Sequence, residues 1–378
     1  MSDTQIPVAI LTGFLGAGKT SFLNRMLKEP ALSDAAVIIN EFGDIALDHI
    51  LVEESADAII ELSSGCLCCS LRGELVETLT KIVAHADRAD RSLSAIIIET
   101  TGLADPIPVM KAVMAHPALG NRLRLGPVTT MVDAVSGQNA LRDYPEAVRQ
   151  VIVSDRILIT KTDLIDDAIP SGLITALSGL NSRVEIMLAN EEQAFDPMHL
   201  VGLIMAGPGG NNDLPIWLVS PPGPKHEPEH GPEGPVAAVA QAQHSHASGD
   251  VAHQDSAIQS YAFASDVPVS FGAFTAFLEL LRSAHGEKLL RVKGLIKIKE
   301  HPEEPMLIHL VQSVMHEPVR LSGWPDGRPE TRIVVIADGL SNEFLRRLYN
   351  GFANVPEIDA PDRAALADNP LAIPGFPG

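Results

Sequence analysis

Four stretches of this chain have the residue types and spacing to do chemistry. Gly13–Thr20, Gly-Phe-Leu-Gly-Ala-Gly-Lys-Thr, satisfies the phosphate-loop pattern G-x-x-x-x-G-K-[ST] at every fixed position. Gly13, Gly16 and Gly18 carry no side chain, so backbone N–H groups can close around a phosphate chain. In that pattern Lys19 reaches the terminal phosphates as the catalytic cation and the Thr20 hydroxyl holds Mg²⁺, with Ala17 and Ser21 completing the contact. The second stretch is Ile96-Ile97-Ile98-Glu99-Thr100-Thr101-Gly102. An apolar strand there would deliver Glu99 to the carboxyl end of a sheet, to orient an attacking water or hold the Mg²⁺ shell. A strand-end carboxylate that only caps a helix is the plainer alternative. Gly102 would let its N–H approach a γ-phosphate.

The third stretch, Thr160-Lys161-Thr162-Asp163, follows the apolar run Arg156–Ile159 and resembles the guanine-recognition motif Asn-Lys-x-Asp. A carboxylate at Asp163 accepts from the N1 and N2 donors of guanine, a pair adenine lacks, and the Lys161 stem lies along the base. Thr in place of Asn at the first position implies one weaker ordering hydrogen bond. Leu188-Ala189-Asn190 falls where a further base-contacting loop is expected.

The fourth stretch is Gly65-Cys66-Leu67-Cys68-Cys69, which holds all three cysteines of the chain. Thiols before a helix have a lowered pKa, and thiolates are soft ligands suited to Zn²⁺ and related ions. Three ligands leave a tetrahedral site one short, to be filled by Glu41, a histidine such as His116, a water or an incoming ligand. Two readings without metal remain: buried core cysteines, and a redox pair formed by Cys66 and Cys69. Upstream, Asn40-Glu41-Phe42-Gly43-Asp44, with Asp48 and His49, reads as either a solvated acidic loop or a segment that γ-phosphate and Mg²⁺ would order.

Strands and helices must position these groups. From Ile6 to about Met205 short apolar runs alternate with helical periodicity: Val8–Thr12, Val37–Asn40, Ala58–Leu62, Ala95–Thr100, Val128–Val132, Arg156–Thr160 and Glu185–Leu188. The runs are nearly continuous in aliphatic residues, as in strands buried on both faces. The fold class expected is therefore α/β, a phosphate-loop domain over residues 1–205 with a mostly parallel sheet. Residues 206–257 are rich in Pro, Gly, Ser and Gln, with His226, His230, His244, His246 and His253. They read as a linker whose histidines either gather metal loosely or do nothing specific. Residues 258–352 suggest a smaller α+β domain. Its expected strands are Ser260–Ala264, Leu289–Lys299, Pro305–Val314 and Arg332–Ala337, and its expected helices Phe271–Ser283 and Asn342–Asn350. Residues 353–378 read as a disordered tail.

Composition narrows the function. A formal net charge of −20 argues against nucleic acid and anionic membrane as partners. No apolar run approaches ~20 residues, and the first residues have no signal-like character, so a cytoplasmic protein is expected.

Taken together, Gly-Phe-Leu-Gly-Ala-Gly-Lys-Thr, Asn-Glu-Phe-Gly, Gly-Cys-Leu-Cys-Cys, Glu-Thr-Thr-Gly and x-Lys-x-Asp resemble the CobW-type metallochaperone GTPases. The resemblance covers Ile6–Met205 and extends to Ser260–Phe352. It implies hydrolysis of GTP with Mg²⁺ and delivery of a divalent metal, Zn²⁺ or Co²⁺, to a client metalloprotein. It carries Cys66, Cys68 and Cys69 over as metal ligands, Gly16, Gly18, Lys19 and Thr20 as phosphate and Mg²⁺ contacts, and Lys161 and Asp163 as base contacts. A homo-oligomer is left open. A phosphate-loop kinase and a metal store with structural nucleotide are the alternatives.

Overall fold

A computed structural model describes residues 5–40, 59–62, 70–115, 117–165, 169–182, 184–201 and 258–353. Glu41 to His49, Gly65 to Cys69, His116, the linker and the tail lie outside the described residues.

The first half is a sheet of seven parallel strands in the order β3-β2-β4-β1-β5-β6-β7. In chain order these are β1 (Ile6–Gly13), β2 (Ala36–Asn40), β3 (Ile59–Leu62), β4 (Ile96–Glu99), β5 (Leu123–Asp133), β6 (Arg156–Thr160) and β7 (Glu185–Leu188). The intervening helices are α1 (Lys19–Met26), α2 (Ser70–Arg88), α3 (Pro106–Ala115), α4 (Pro117–Gly120), α5 (Gly137–Asp143), α6 (Pro145–Ile152), α7 (Ser171–Leu180) and α8 (Pro197–Val201). The continuous apolar runs have the cause expected of them. Val8, Ile10, Ile96 and Ile98 join one buried layer, Leu11, Val37, Ile97 and Leu158 the other. β5 begins five residues before the expected Val128. Gly126-Pro127 hid the start, and the β1–β5 register shifts between Val8 and Ile10, opposite that dipeptide.

The second half is an antiparallel sheet with helices packed on it. Its strands are β8 (Ile258–Ser265), β9 (Leu289–Ile298), β10 (His301–Val311), β11 (Val314–Met315), β12 (Val319–Arg320) and β13 (Thr331–Asp338), in the order β11-β10-β9-β13-β8, with β12 on β10. Its helices are α9 (Phe271–His285) and α10 (Asn342–Ala353). Ser270 caps α9 by accepting the Ala273 N–H at 3.2 Å. Phe274, Phe277, Leu278 and Leu281 form the buried stripe, where Phe277 meets Tyr349 of α10 edge to face at 5.7 Å. The expected single strand Pro305–Val314 is corrected. β10 starts earlier, and the chain turns back through Gln312, at φ 52°, into β11. Apolar periodicity ran through that turn because Val311 and Val314 both stay inside the core or against it.

The two halves share a core and a buried ionic joint. Leu290, Val311 and Ile336 belong to the same apolar cluster as the parallel sheet. Asp155, just before β6, accepts from Arg291 Nη2 at 2.7 Å, Lys293 Nζ at 2.6 Å and the Val128 N–H at 2.9 Å. Arg291 also donates to the Val153 carbonyl and, through Nε, to His309 Nε2 at 3.3 Å. Burial alone would raise the Asp155 pKa, but the charges of Arg291 and Lys293 overcome it and hold the carboxyl far below the usual carboxylate range. Burial and the nearby Arg291 charge bring Lys293 down to about 8, against the opposing pull of Asp155. Burial, with the same two cations, keeps the His309 pKa well below its ordinary value.

Asp155→Asn removes the buried carboxylate that faces Arg291 and Lys293, so stability at pH 7 is expected to fall by about 3–5 kcal/mol. The sign with pH follows from the depressed native pKa. The contribution is complete above the unfolded value, near 3.9, and drains away as pH falls below it. Denaturant titrations should therefore show wild type and variant converging below about pH 4; a gap that stays constant with pH would contradict this.

Candidate functional site

The carboxyl ends of four adjacent strands, β4, β1, β5 and β6, carry the candidate groups: Glu99, Gly13, Asp133 and Thr160. In a parallel sheet this is the edge where ligands bind. The loop between β1 and α1 turns on Gly13, Gly16 and Gly18, with φ of 141°, 71° and 89°. At Gly13 two constraints coincide. The φ is one L side chains rarely adopt, and a Cβ there would strike the Met131 backbone of β5.

The Lys19 ammonium is almost buried and donates to the carbonyls of Gly13 at 3.0 Å and Phe14 at 3.3 Å, so the cation is held within the loop. Thr20 Oγ1 donates to Glu99 Oε1 at 2.7 Å. Glu99 is only 3% exposed, and the parallel register pairing Leu11 with Glu99 sets it beside the loop. A hydroxyl and a carboxylate side by side at the start of a phosphate-loop helix are oxygen donors of the kind Mg²⁺ takes, so the residues present fit that ion. Gly102 is pressed against the loop, where a Cβ would lie 2.6 Å from Leu15 N. Thr100 Oγ1 donates to Thr12 Oγ1 at 2.7 Å, a further tie between β4 and β1.

At the other end Lys161 adopts a left-handed conformation, φ 56°, that opens a short turn over Thr162–Leu164. Its ammonium lies 2.6 Å from Asp133 Oδ2, while Asp133 Oδ1 accepts the N–H groups of Val135 at 2.8 Å and Ser136 at 3.3 Å. Burial would raise the Asp133 pKa; Lys161, the Val135 amide and Ser136 outweigh it and hold the carboxyl below its usual value. Asp163 is exposed on the turn and Asn190 is exposed after β7. Thr160 supplies an ordering bond of its own: its hydroxyl donates to the Ala17 carbonyl at 2.9 Å, with Val132 O at 3.3 Å, tying the base-side strand to the phosphate loop.

Lys19, Thr20, Glu99, Gly102, Lys161 and Asp163 thus stand on one edge. Glu41 and the three cysteines lie outside the described residues. The flanks of the cysteine stretch are described, however. β3 ends at Leu62 on the same carboxyl edge, three strand spacings or about 14 Å from β1, and α2 starts at Ser70. Among the described residues no group of three or more His, Cys, Asp or Glu could hold a metal ion, and no helix is long and apolar enough to cross a membrane. Sequence reasoning missed Asp133, although it ends an apolar strand just as Glu99 does. It also missed Gln150 of α6, a polar residue on the buried stripe with Ala147 and Val151.

Comparison with known proteins adds to this geometry. Residues 7–187 match the family described as CobW/HypB/UreG, nucleotide-binding domain, and residues 258–353 match the cobalamin synthesis protein cobW C-terminal domain. The zinc chaperone YjiA of Escherichia coli is 30% identical over 346 residues, 92% of this chain and 98% of the relative. The zinc-regulated GTPase metalloprotein activator 1 of Schizosaccharomyces pombe is 33% identical over 216 residues, 55% of this chain and 52% of the relative. The crystal structure of Zn(II)-bound YjiA GTPase shares the fold, with a TM-score of 0.59 at 24% identity over 92% of this chain and 99% of that one.

Asp133→Asn keeps an oxygen for the Val135 and Ser136 amides but removes the charge facing Lys161. Binding of a fluorescent GDP is expected to weaken roughly tenfold, the worth of one charge-assisted hydrogen bond; unchanged affinity would show that Lys161 needs no such support.

Proposed function

The chain belongs to the CobW/HypB/UreG family of P-loop GTPases, and from that premise we propose that it hydrolyses GTP to deliver a divalent metal, zinc first, to a client metalloprotein. The observation that carries the hydrolytic part is the Lys19, Thr20 and Glu99 group at the start of α1. Lys19 supplies positive charge where negative charge develops on the transferred phosphoryl group. Thr20 and Glu99 would hold Mg²⁺ or its water shell, and Mg²⁺ when bound bridges and neutralises phosphate oxygens. Gly102 is pressed on the loop, and its N–H would approach the γ-phosphate. Asp163 would select guanine through its N1 and N2 donors, with the Lys161 stem on the base plane.

For the metal, Cys66, Cys68 and Cys69 offer soft thiolates, with Glu41 as a candidate fourth ligand. In sequence they fall between β3, which ends at Leu62 on the carboxyl edge of the sheet, and α2, which starts at Ser70. GTP with Mg²⁺ would order the acidic segment that contains Glu41, and hydrolysis would release it. Metal affinity and nucleotide state are then linked, and linkage is reciprocal. The antiparallel half would offer the client its surface.

Two measurements test this. Zn²⁺ affinity, determined by competition with a chelating dye, is expected to differ at least tenfold between the GTP-analogue and GDP states and to collapse in a Cys66/Cys68/Cys69→Ala variant. Equal affinity in both states would refute the coupling. Lys19→Ala is expected to lower turnover by at least 100-fold and to abolish nucleotide-triggered metal release. Release that persists unchanged would instead make the protein a metal store.

A further inference from the structure

Gln150 on α6 is 1% exposed, and its Nε2 donates to the carbonyls of Gly102 at 3.1 Å and Ala104 at 3.0 Å. Both partners are acceptors, so the amide nitrogen must be the atom that faces them. Both of its hydrogens are thus spent on carbonyls flanking Leu103. The residue before it, Arg149, reaches the Asp105 carboxylate at 2.8 Å, and Asp105 Oδ1 accepts the Ile107 N–H at 2.9 Å at the head of α3. Two successive residues of α6 therefore fasten the segment Gly102–Asp105, which itself rests on Leu15 of the phosphate loop.

The other end of the Gln150 amide has no such use. Oε1 is buried without a hydrogen-bond partner, as is Thr101 Oγ1 on the fastened loop. Gln150 helps line a small cavity behind the phosphate loop together with Phe14, Leu15, Ala17 and Asp133. An orphaned buried carbonyl is unfavourable, and a leucine would fill the same space without that cost. What the amide adds is the pair of bonds to the loop.

We propose that Gln150 is a positioning residue for the γ-phosphate. By holding the Gly102 and Ala104 carbonyls it keeps the Gly102 backbone against Leu15, and so maintains the loop that separates a triphosphate from a diphosphate. This rests on the GTPase reading given above. GDP, which has no γ-phosphate, is bound without this loop and should be insensitive to Gln150.

The test uses full-length Gln150→Leu and Gln150→Glu, with affinities for a non-hydrolysable GTP analogue and for GDP measured by calorimetry, and turnover measured as phosphate release. In Gln150→Leu the analogue-to-GDP affinity ratio is expected to fall at least tenfold and kcat at least tenfold, with GDP affinity kept within about twofold. In Gln150→Glu a carboxylate facing two carbonyls donates only when protonated, and burial raises its pKa. Its turnover relative to wild type should therefore rise as pH is lowered from 8 to 6, whereas that of Gln150→Leu should not. An unaltered affinity ratio, or equal weakening of both nucleotides with no pH-dependent recovery, overturns the proposal. If the wild-type chain itself fails to hydrolyse GTP, the GTPase reading falls, and this proposal falls with it.

Discussion

A hydroxyl at the first turn of α1 and a carboxylate at the tip of β4 meet at 2.7 Å, and most of the nucleotide side is built so that they can. Thr20 and Glu99 lie far apart in sequence, so their meeting depends on the parallel pairing of β1 with β4 through Val8–Leu11 and Ile96–Glu99. A slip of one residue would turn Glu99 to the opposite face of the sheet. Register here is secured by burial. Val8, Ala9, Ile10 and Leu11 face Ile96, Ile97 and Ile98 with essentially no exposed surface, and both layers of helices press on them. The polar pair is thus held in place by the apolar residues immediately below it.

That dependence explains what could be read in the sequence. Strands covered on both faces spell themselves as aliphatic runs, so Arg156–Thr160 coincides with the fully buried β6 residue for residue; Glu185–Leu188 does the same for β7, although that edge strand is only partly buried. The same signal fails where burial continues through a change of direction, as at Gln312, or where Gly126-Pro127 interrupts a strand that nevertheless continues. The phosphate-loop groups were legible because their spacing is fixed by local backbone geometry. Asp133 and Gln150 act on partners 28 and 48 residues away. A position along the chain does not reveal such partners until the topology is known.

Thr160 shows how a departure from a motif can be absorbed. A threonine hydroxyl is shorter than an asparagine amide, yet it still reaches the Ala17 carbonyl because β6 ends close under the phosphate loop. One hydroxyl therefore joins the element that would hold phosphates to the element that would hold the base. The left-handed Lys161 then turns its ammonium back toward Asp133 on the neighbouring strand, so this end of β6 is braced from both β5 and the phosphate loop.

β6 has one more property. At its foot, Asp155 takes the guanidinium and the ammonium of β9; at its tip, five residues on, stand Thr160 and Lys161. Five residues of strand span about 16 Å and stretch very little. The antiparallel sheet therefore meets the nucleotide domain at the base of this strut, through the Asp155 ion pairs. A displacement of β9 at Asp155 would thereby be carried along β6 to the turn that bears Lys161 and Asp163.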